Sequence, residues 1–106
     1  MLPKRYLLVV IALSLKAMSG PAHAATIQIV MENLVISPAA ASAKVGDTIE
    51  WINKDIFAHT ATARNGDWDV TMPPNKTVTS ALKKTGRIEY YCRFHPNMKA
   101  TLIVTP

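Results

Sequence analysis

The sequence predicts an all-β sandwich for the part of the chain that follows residue 24. Its segments are short, rich in Val, Ile, Thr and Tyr, and separated by turn residues. Within several of them apolar and polar side chains alternate, as along a strand with one buried face, and no window keeps the period of a helix. Such segments bury their apolar faces when two sheets pack together.

The predicted strands follow one another at short intervals along the chain. In Thr48–Asn53, for example, Ile49 and Trp51 share one face. Residues 54–74 are less regular and are broken by turn residues and a pair of prolines, so we expect loops there and at most short strands. The other predicted strands are Thr26–Glu32 and residues 42–45, 76–82, 87–92 and 99–104.

The first 24 residues have the pattern of a secretory signal peptide. Two basic residues precede an apolar run of about ten residues, and small residues follow up to Ala22-His23-Ala24. The run is well short of the roughly 20 residues that a membrane-spanning helix needs. We therefore expect cleavage after Ala24, export to the periplasm and no membrane contact afterwards. Retention as an anchor is the alternative, because Lys16 departs from the usual pattern.

Residues 25–106 are then one small domain. The whole chain has a formal charge of +5, but three of its twelve basic residues lie in the predicted signal peptide, whereas all seven acidic residues follow it. Nine basic residues against seven acidic ones leave a charge of +2. The basic residues are scattered and form no stripe interleaved with aromatic residues, so we expect no nucleic-acid partner.

Cys92 is the only cysteine, and the domain cannot form an internal disulfide. An unpaired thiol in an exported protein needs another reason, such as intermolecular pairing, reactivity or metal ligation, unless it is buried and inert. Its neighbours favour metal ligation. The segment Cys92-Arg93-Phe94-His95-Pro96-Asn97-Met98 puts a thiolate, an imidazole and a thioether into one loop after a predicted strand.

A loop that leaves a strand can turn Cys92, His95 and Met98 toward one point, whereas the side chains of a single extended strand alternate between faces. A second imidazole must come from elsewhere, and His59 is the only other histidine after residue 24. Two imidazoles, a thiolate and a weak thioether are the donors of a trigonal copper site with a long axial methionine. Zinc is less suited, because zinc sites seldom use a thioether.

The chain resembles the cupredoxins, the blue copper proteins, and its short Cys-x-x-His-Pro-x-Met loop is similar to that of amicyanin. In the related plastocyanins and pseudoazurins the spacing from histidine to methionine is longer. The resemblance covers nearly the whole chain after residue 24. Besides His59 and the loop it includes Ser37-Pro38, Val45-Gly46-Asp47-Thr48, Trp51-Ile52-Asn53, Thr85-Gly86 and Tyr90-Tyr91-Cys92.

This resemblance implies an eight-stranded Greek-key β-sandwich that holds one copper ion near one end. It makes His59, Cys92 and His95 the strong in-plane ligands and Met98 the axial ligand. The copper ion would alternate between Cu(I) and Cu(II).

Two residues beside His59 depart from the family pattern. Thr60 stands where amicyanin and several relatives have an asparagine that ties the two ligand loops together, and Ala58 stands where proline is common. A threonine hydroxyl can still donate a hydrogen bond, so we expect the site to survive with altered surroundings.

The resemblance also implies a function, that of a periplasmic carrier which shuttles single electrons and is not an enzyme. Electrons would pass through the edge of His95 at an apolar surface with Phe94 and Pro96, to which Met72 and Pro73-Pro74 could add. The expected partners are redox proteins such as a dehydrogenase, a cytochrome or another copper enzyme, docking transiently near His95. We expect the protein itself to be a monomer.

Other functions account for the same residues less completely. Copper delivery or storage is the main alternative, because it would use the same four ligands. A cysteine–histidine nucleophile would leave Met98 and one histidine unexplained. A copper oxidase or nitrite reductase needs a further metal centre with histidines that this chain lacks. A metal-free interaction module is the remaining alternative.

Overall fold

A computed structural model describes residues 23–106, which form nine strands and contain no helix. Within this range no helix is therefore long and apolar enough to cross a membrane. The predicted signal peptide lies outside the described residues, apart from His23 and Ala24. The strands are β1 (Thr26–Glu32), β2 (Val35–Ser37), β3 (Ala40–Lys44), β4 (Thr48–Asn53), β5 (His59–Ala63), β6 (Asp69–Met72), β7 (Thr77–Ala81), β8 (Gly86–Tyr91) and β9 (Lys99–Thr105).

The strands form two sheets, of order β2-β1-β4-β7 and β3-β9-β8-β5-β6. Strand β1 pairs in parallel with β4, and β3 pairs in parallel with β9, whereas the other neighbouring strands are antiparallel. The predicted all-β sandwich is thus confirmed. The described residues form nine strands rather than the eight that the resemblance implies. The segment from Val35 to Lys44 contributes two of them, because the chain leaves the first sheet after Ser37 (β2) and joins the second sheet at Ala40 (β3). Strand β2 has three residues, too few to show an alternating pattern.

The core lies between the sheets and contains the predicted apolar faces. Ile49 and Trp51 of β4 are buried, as are Ile88 and Tyr90 of β8. The rings of Trp51, Trp68 and Tyr90 form a cluster with centroids 5.3 to 5.5 Å apart. The Tyr90 hydroxyl is buried and has no hydrogen-bond partner among the described residues. Tyr90 of this cluster precedes Cys92 by two residues in β8 and the loop that follows it.

Asp47 organises the turn between β3 and β4, at the end of the sandwich where β9 finishes. Its carboxylate accepts hydrogen bonds from the backbone N–H groups of Ala25 at 2.8 Å and Lys44 at 2.9 Å. These two hydrogen bonds hold the pKa of Asp47 below its ordinary value, and the charge of Lys44 acts in the same direction, against the opposing effect of burial.

The hairpin between β1 and β2 turns through Asn33 and Leu34, because Glu32 pairs directly with Val35. Both turn residues have positive φ, 55° and 64°, as in a type I′ turn. Asparagine tolerates this conformation, but the second position strongly favours glycine. Leu34 is therefore held against its backbone preference, and its side chain gains little from burial because 45% of it is exposed.

Replacing Leu34 should reveal this backbone strain. We expect Leu34→Gly to be more stable than Leu34→Ala by about 1 kcal/mol, because both lose the side chain and only glycine adopts positive φ without cost. Chemical unfolding of the two metal-free variants measures the difference. At Val35, in the neighbouring strand, the order should reverse, with the glycine variant less stable. An alanine variant at residue 34 as stable as the glycine variant would contradict the strain.

The Asp47 carboxylate should make the stability depend on pH. Its pKa is lower in the folded than in the unfolded protein, so its contribution is present above the unfolded value of about 3.9 and is lost as the pH falls through the folded value. We expect Asp47→Asn to be less stable than the wild type at pH 7 and the difference to shrink in acid. Unfolding curves across this range test it, and a difference independent of pH would contradict it.

Candidate metal centre

The loop between β8 and β9 is folded into two consecutive turns. The backbone N–H of His95 donates to the carbonyl oxygen of Cys92 at 3.2 Å, and that of Met98 donates to the carbonyl oxygen of His95 at 2.8 Å. The N–H of Cys92 closes the loop by donating to the carbonyl oxygen of Met98 at 3.0 Å. Each turn contains four residues and the two share His95, which brings the three predicted ligands of this loop onto a compact segment.

His59 lies at the first position of β5 rather than in a loop, and it is fully buried. Strand β5 is adjacent to β8 in the sheet, but their pairing includes only Thr62 with Tyr91 and Ala63 with Tyr90. Backbone pairing between the two strands therefore does not extend to His59 or Cys92.

The structure brings His59, Cys92 and His95 together. The Cys92 Sγ atom lies 3.7 Å from Nδ1 of His59 and 3.8 Å from Nδ1 of His95, and the three ligand atoms all lie within 4.8 Å of one another. Metal bonds of about 2.0 to 2.3 Å separate a sulfur and a nitrogen on the same ion by about 3.6 to 3.8 Å. The three side chains can therefore hold one metal ion.

Met98 lies in the same closed loop, and its side chain is buried, with 3% exposed. Cys92 is also fully buried, whereas His95 is only half-buried. The site therefore opens to solvent at the His95 side. The part of the chain that the structure describes contains one cluster of this kind of histidine, cysteine or acidic ligands.

Asp55 fixes the orientation of the His59 ring. Its Oδ2 lies 2.7 Å from Nε2 of His59, and the carboxylate also accepts the backbone N–H groups of Asn33 and Leu34. Burial disfavours the charged carboxylate, but the hydrogen bonds from His59, Leu34 and Asn33 outweigh it and lower the pKa of Asp55. A carboxylate at Nε2 keeps the proton there and leaves Nδ1 free to bind a metal.

This role of Asp55 was not predicted from the sequence. A carboxylate four residues before a candidate histidine ligand was a signal that could have identified it. Its other contacts, with the turn at Asn33 and Leu34, depend on the folding of distant segments and have no local signature.

Thr60 ties the two candidate ligand segments together, but toward the loop its hydroxyl accepts a hydrogen bond rather than donating one. Its backbone N–H donates to Cys92 Sγ at 3.3 Å, and its hydroxyl accepts the N–H of Arg93 at 2.8 Å. The hydroxyl thus spans the gap between β5 and the loop, although the donor of this bond is Arg93. The surroundings of Cys92 are therefore built without the asparagine that the family pattern has.

Apolar side chains surround the exposed edge of His95. The Phe57 ring centroid lies 5.9 Å from that of His95, and Phe57 and Phe94 are each about half exposed. Ile56 is 75% exposed beside Phe57. A depression of about 520 Å³ is lined by Leu34, Phe94, His95, Pro96, Asn97 and Met98. Leu34, Ile56 and Phe57 are additions that the sequence analysis did not foresee, because they come from turns distant in sequence.

Met72 does not belong to this apolar surface, so that expectation was wrong. It pairs with His59 across β5 and β6, its side chain faces the core, and it is fully buried. The following Pro73 and Pro74 remain exposed. The amide of Asn53 donates to the carbonyl oxygens of Pro73 and Phe57, which holds their two loops at the same end of the sandwich.

Comparison with known proteins identifies the family. A family model described as a cupredoxin-like domain matches residues 5–104. The chain belongs to the cupredoxin-like family. The match confirms the resemblance that the ligand loop predicts, and proteins of this family bind copper.

Individual proteins are also similar to this chain in sequence or in fold. The chain is 29% identical over 96 residues to the methylamine utilization protein MauL of Methylorubrum extorquens, covering 87% of this chain and 84% of MauL. Its fold is similar to that of amicyanin from Paracoccus versutus, with a TM-score of 0.64, 23% identity, and 83% and 87% of the two chains covered. A copper-containing nitrite reductase from Thermus scotoductus aligns with a TM-score of 0.68 and 20% identity over 84% of this chain, but over only 24% of the reductase.

Proposed function

We propose that this protein is an exported electron carrier with one copper ion held by His59, Cys92, His95 and Met98. The observation that supports it best is the convergence of two Nδ1 atoms on the Cys92 sulfur, with one histidine half-buried at the surface. A copper ion bound there would supply a single-electron couple between Cu(I) and Cu(II).

The donors favour copper over zinc. Soft sulfur donors suit Cu(I) and imidazoles suit Cu(II), whereas zinc sites seldom include a thioether. A carrier also needs ligands that move little when an electron arrives. Buried His59 is held by Asp55 at 2.7 Å, and buried Cys92 receives the Thr60 N–H, so two of the three strong ligands are fixed by the protein itself.

The apolar surface around His95 suits transient docking. We name Leu34, Ile56, Phe57, Phe94 and Pro96, together with the edge of His95, the His95 face. A modest apolar patch without a large buried interface gives brief complexes, which electron carriers need for turnover. We propose that a redox protein, such as a dehydrogenase, a cytochrome or another copper enzyme, docks here by its own apolar surface and exchanges an electron through His95.

We further propose that residues 1–24 direct export to the periplasm and are removed after Ala24. Ala25 is a suitable first residue, because its N–H bonds to Asp47 and its carbonyl oxygen accepts the N–H of Thr48 at 3.0 Å. All the strands among the described residues follow it. The domain at residues 25–106 would then act as the electron carrier.

Copper binding gives the direct test of the proposed function. Cu(II) added to the purified mature protein should produce intense visible absorption toward the red, because a thiolate bound to Cu(II) transfers charge to it. Cys92→Ser should abolish this absorption while the folded far-ultraviolet spectrum remains. Met98→Leu should keep the colour and raise the reduction potential, since a lost donor disfavours Cu(II).

Several outcomes would contradict the carrier function. A colourless copper complex would contradict a blue copper site, and an unchanged spectrum of Cys92→Ser would show that Cys92 is not a ligand. Rapid loss of copper from the reduced protein to a chelator would favour delivery or storage instead, because a carrier must retain the ion in both oxidation states.

Electron self-exchange between copies tests the His95 face without a known partner. In a mixture of oxidised and reduced protein, nuclear magnetic resonance line broadening reports the exchange rate. Ile56→Ser should slow exchange about tenfold, because it removes an exposed apolar contact worth about 1.4 kcal/mol from the encounter. The matched control is Val45→Ser, which alters an exposed apolar residue near the end of β9. Equal rates for both variants would contradict docking at this face.

A further inference from the structure

A closed ring of hydrogen bonds joins the ligand loop to two strands. The N–H of Arg93 donates to Thr60 Oγ1 at 2.8 Å, and Thr60 Oγ1 lies 2.9 Å from Thr62 Oγ1. The Thr62 hydroxyl donates to Asp69 Oδ1 at 2.7 Å, and Nε of Arg93 donates to the same oxygen at 3.3 Å. The ring therefore starts and ends at Arg93.

The direction of each hydrogen bond in the ring follows from the number of protons. An ionised carboxylate can only accept, so the single hydroxyl proton of Thr62 points to Asp69. Thr60 must then donate to Thr62, which leaves its lone pairs for the N–H of Arg93. Every donor is oriented toward the Asp69 charge, and aligned hydrogen bonds of this kind strengthen one another.

The ring is attached to two ligands through the backbone. Thr60 follows His59 directly, Arg93 follows Cys92 directly, and the N–H of Thr60 donates to the Cys92 sulfur at 3.3 Å. Thr60 is fully buried, whereas Asp69 and Arg93 lie at the surface, with about half of each side chain exposed. A surface carboxylate on β6 is thereby connected to the interior of the site.

We propose that Asp69, acting through Thr62 and Thr60, is a positioning residue that sets the hydrogen bond from the Thr60 N–H to the Cys92 sulfur. Because the Thr60 hydroxyl is held at both ends, the adjacent N–H is fixed relative to the ligand loop. A hydrogen bond to a ligand sulfur withdraws electron density from it and favours the reduced metal. The ring thus keeps the reduction potential high, a consequence that rests on the proposed copper function.

Thr62→Val tests the ring without changing charge, since valine has the shape of threonine and also suits a strand. Cys92 is fully buried, so a disulfide reagent reaches its thiol only after local opening of the site. In the metal-free protein we expect labelling to be roughly fivefold faster, because about one hydrogen bond that opposes this opening is lost. In the copper protein we expect a lower reduction potential and a shifted visible band. Thr62→Ser keeps the hydroxyl and should restore all three values.

Asp69→Ala tests the anchor of the ring, with Asp67→Ala as its matched control. Asp67 is a nearby acidic residue whose contacts are with Lys84 and Asn65, outside the ring. Both variants lose one negative charge, so only an effect specific to Asp69→Ala reports on positioning. Faster thiol labelling in Asp69→Ala alone is the expected result.

The two measurements separate this inference from the proposed function. Unchanged thiol labelling in both Thr62→Val and Asp69→Ala would overturn the ring's role, and so would an equal change in Asp67→Ala. If the protein took up no copper, the proposed function would be wrong. The labelling rates of the Cys92 thiol in the metal-free variants would still decide whether the ring positions Cys92.

Discussion

The site depends on how two segments 33 residues apart are held at the Cys92 sulfur. Backbone pairing between β5 and β8 ends at Thr62 and Tyr91, before it reaches His59 or Cys92. If pairing continued, the strands would close on each other and leave no room for an ion. Where backbone pairing ends, hydrogen bonds between backbone N–H groups and side chains join the two segments, and Thr60 takes part in two of them. The fold brings the segments near, and these bonds set the spacing between the ligand atoms.

Asp55 links the metal centre to the surface around it. The same carboxylate orients His59 and binds the turn that holds Leu34 beside His95. A carboxylate buried to this extent is stable in its charged form because each oxygen receives donors. The arrangement of the ligand and of part of the apolar surface consequently rests on one side chain, although the two features lie on different elements.

Much of the fold and the chemistry could be predicted from the sequence because they have local signatures. The alternation in Thr48–Asn53 identifies the buried face of β4, and the spacing of Cys92, His95 and Met98 predicts a ligand loop. Strand β2 was missed because three residues cannot show a period. The ring from Arg93 to Asp69 was missed for a different reason: it joins residues from three elements, and only the sheet register places Thr62 opposite Asp69.

The contact between Ala25 and Asp47 has a consequence for maturation. In a chain that continues before Ala25, its nitrogen is an ordinary amide that donates one hydrogen bond to the carboxylate. Cutting the chain at that point would convert this amide into a positively charged ammonium group beside a carboxylate that is 6% exposed. A hydrogen bond from a neutral amide would become an ion pair, so the proposed cleavage after Ala24 would itself tighten the folded domain.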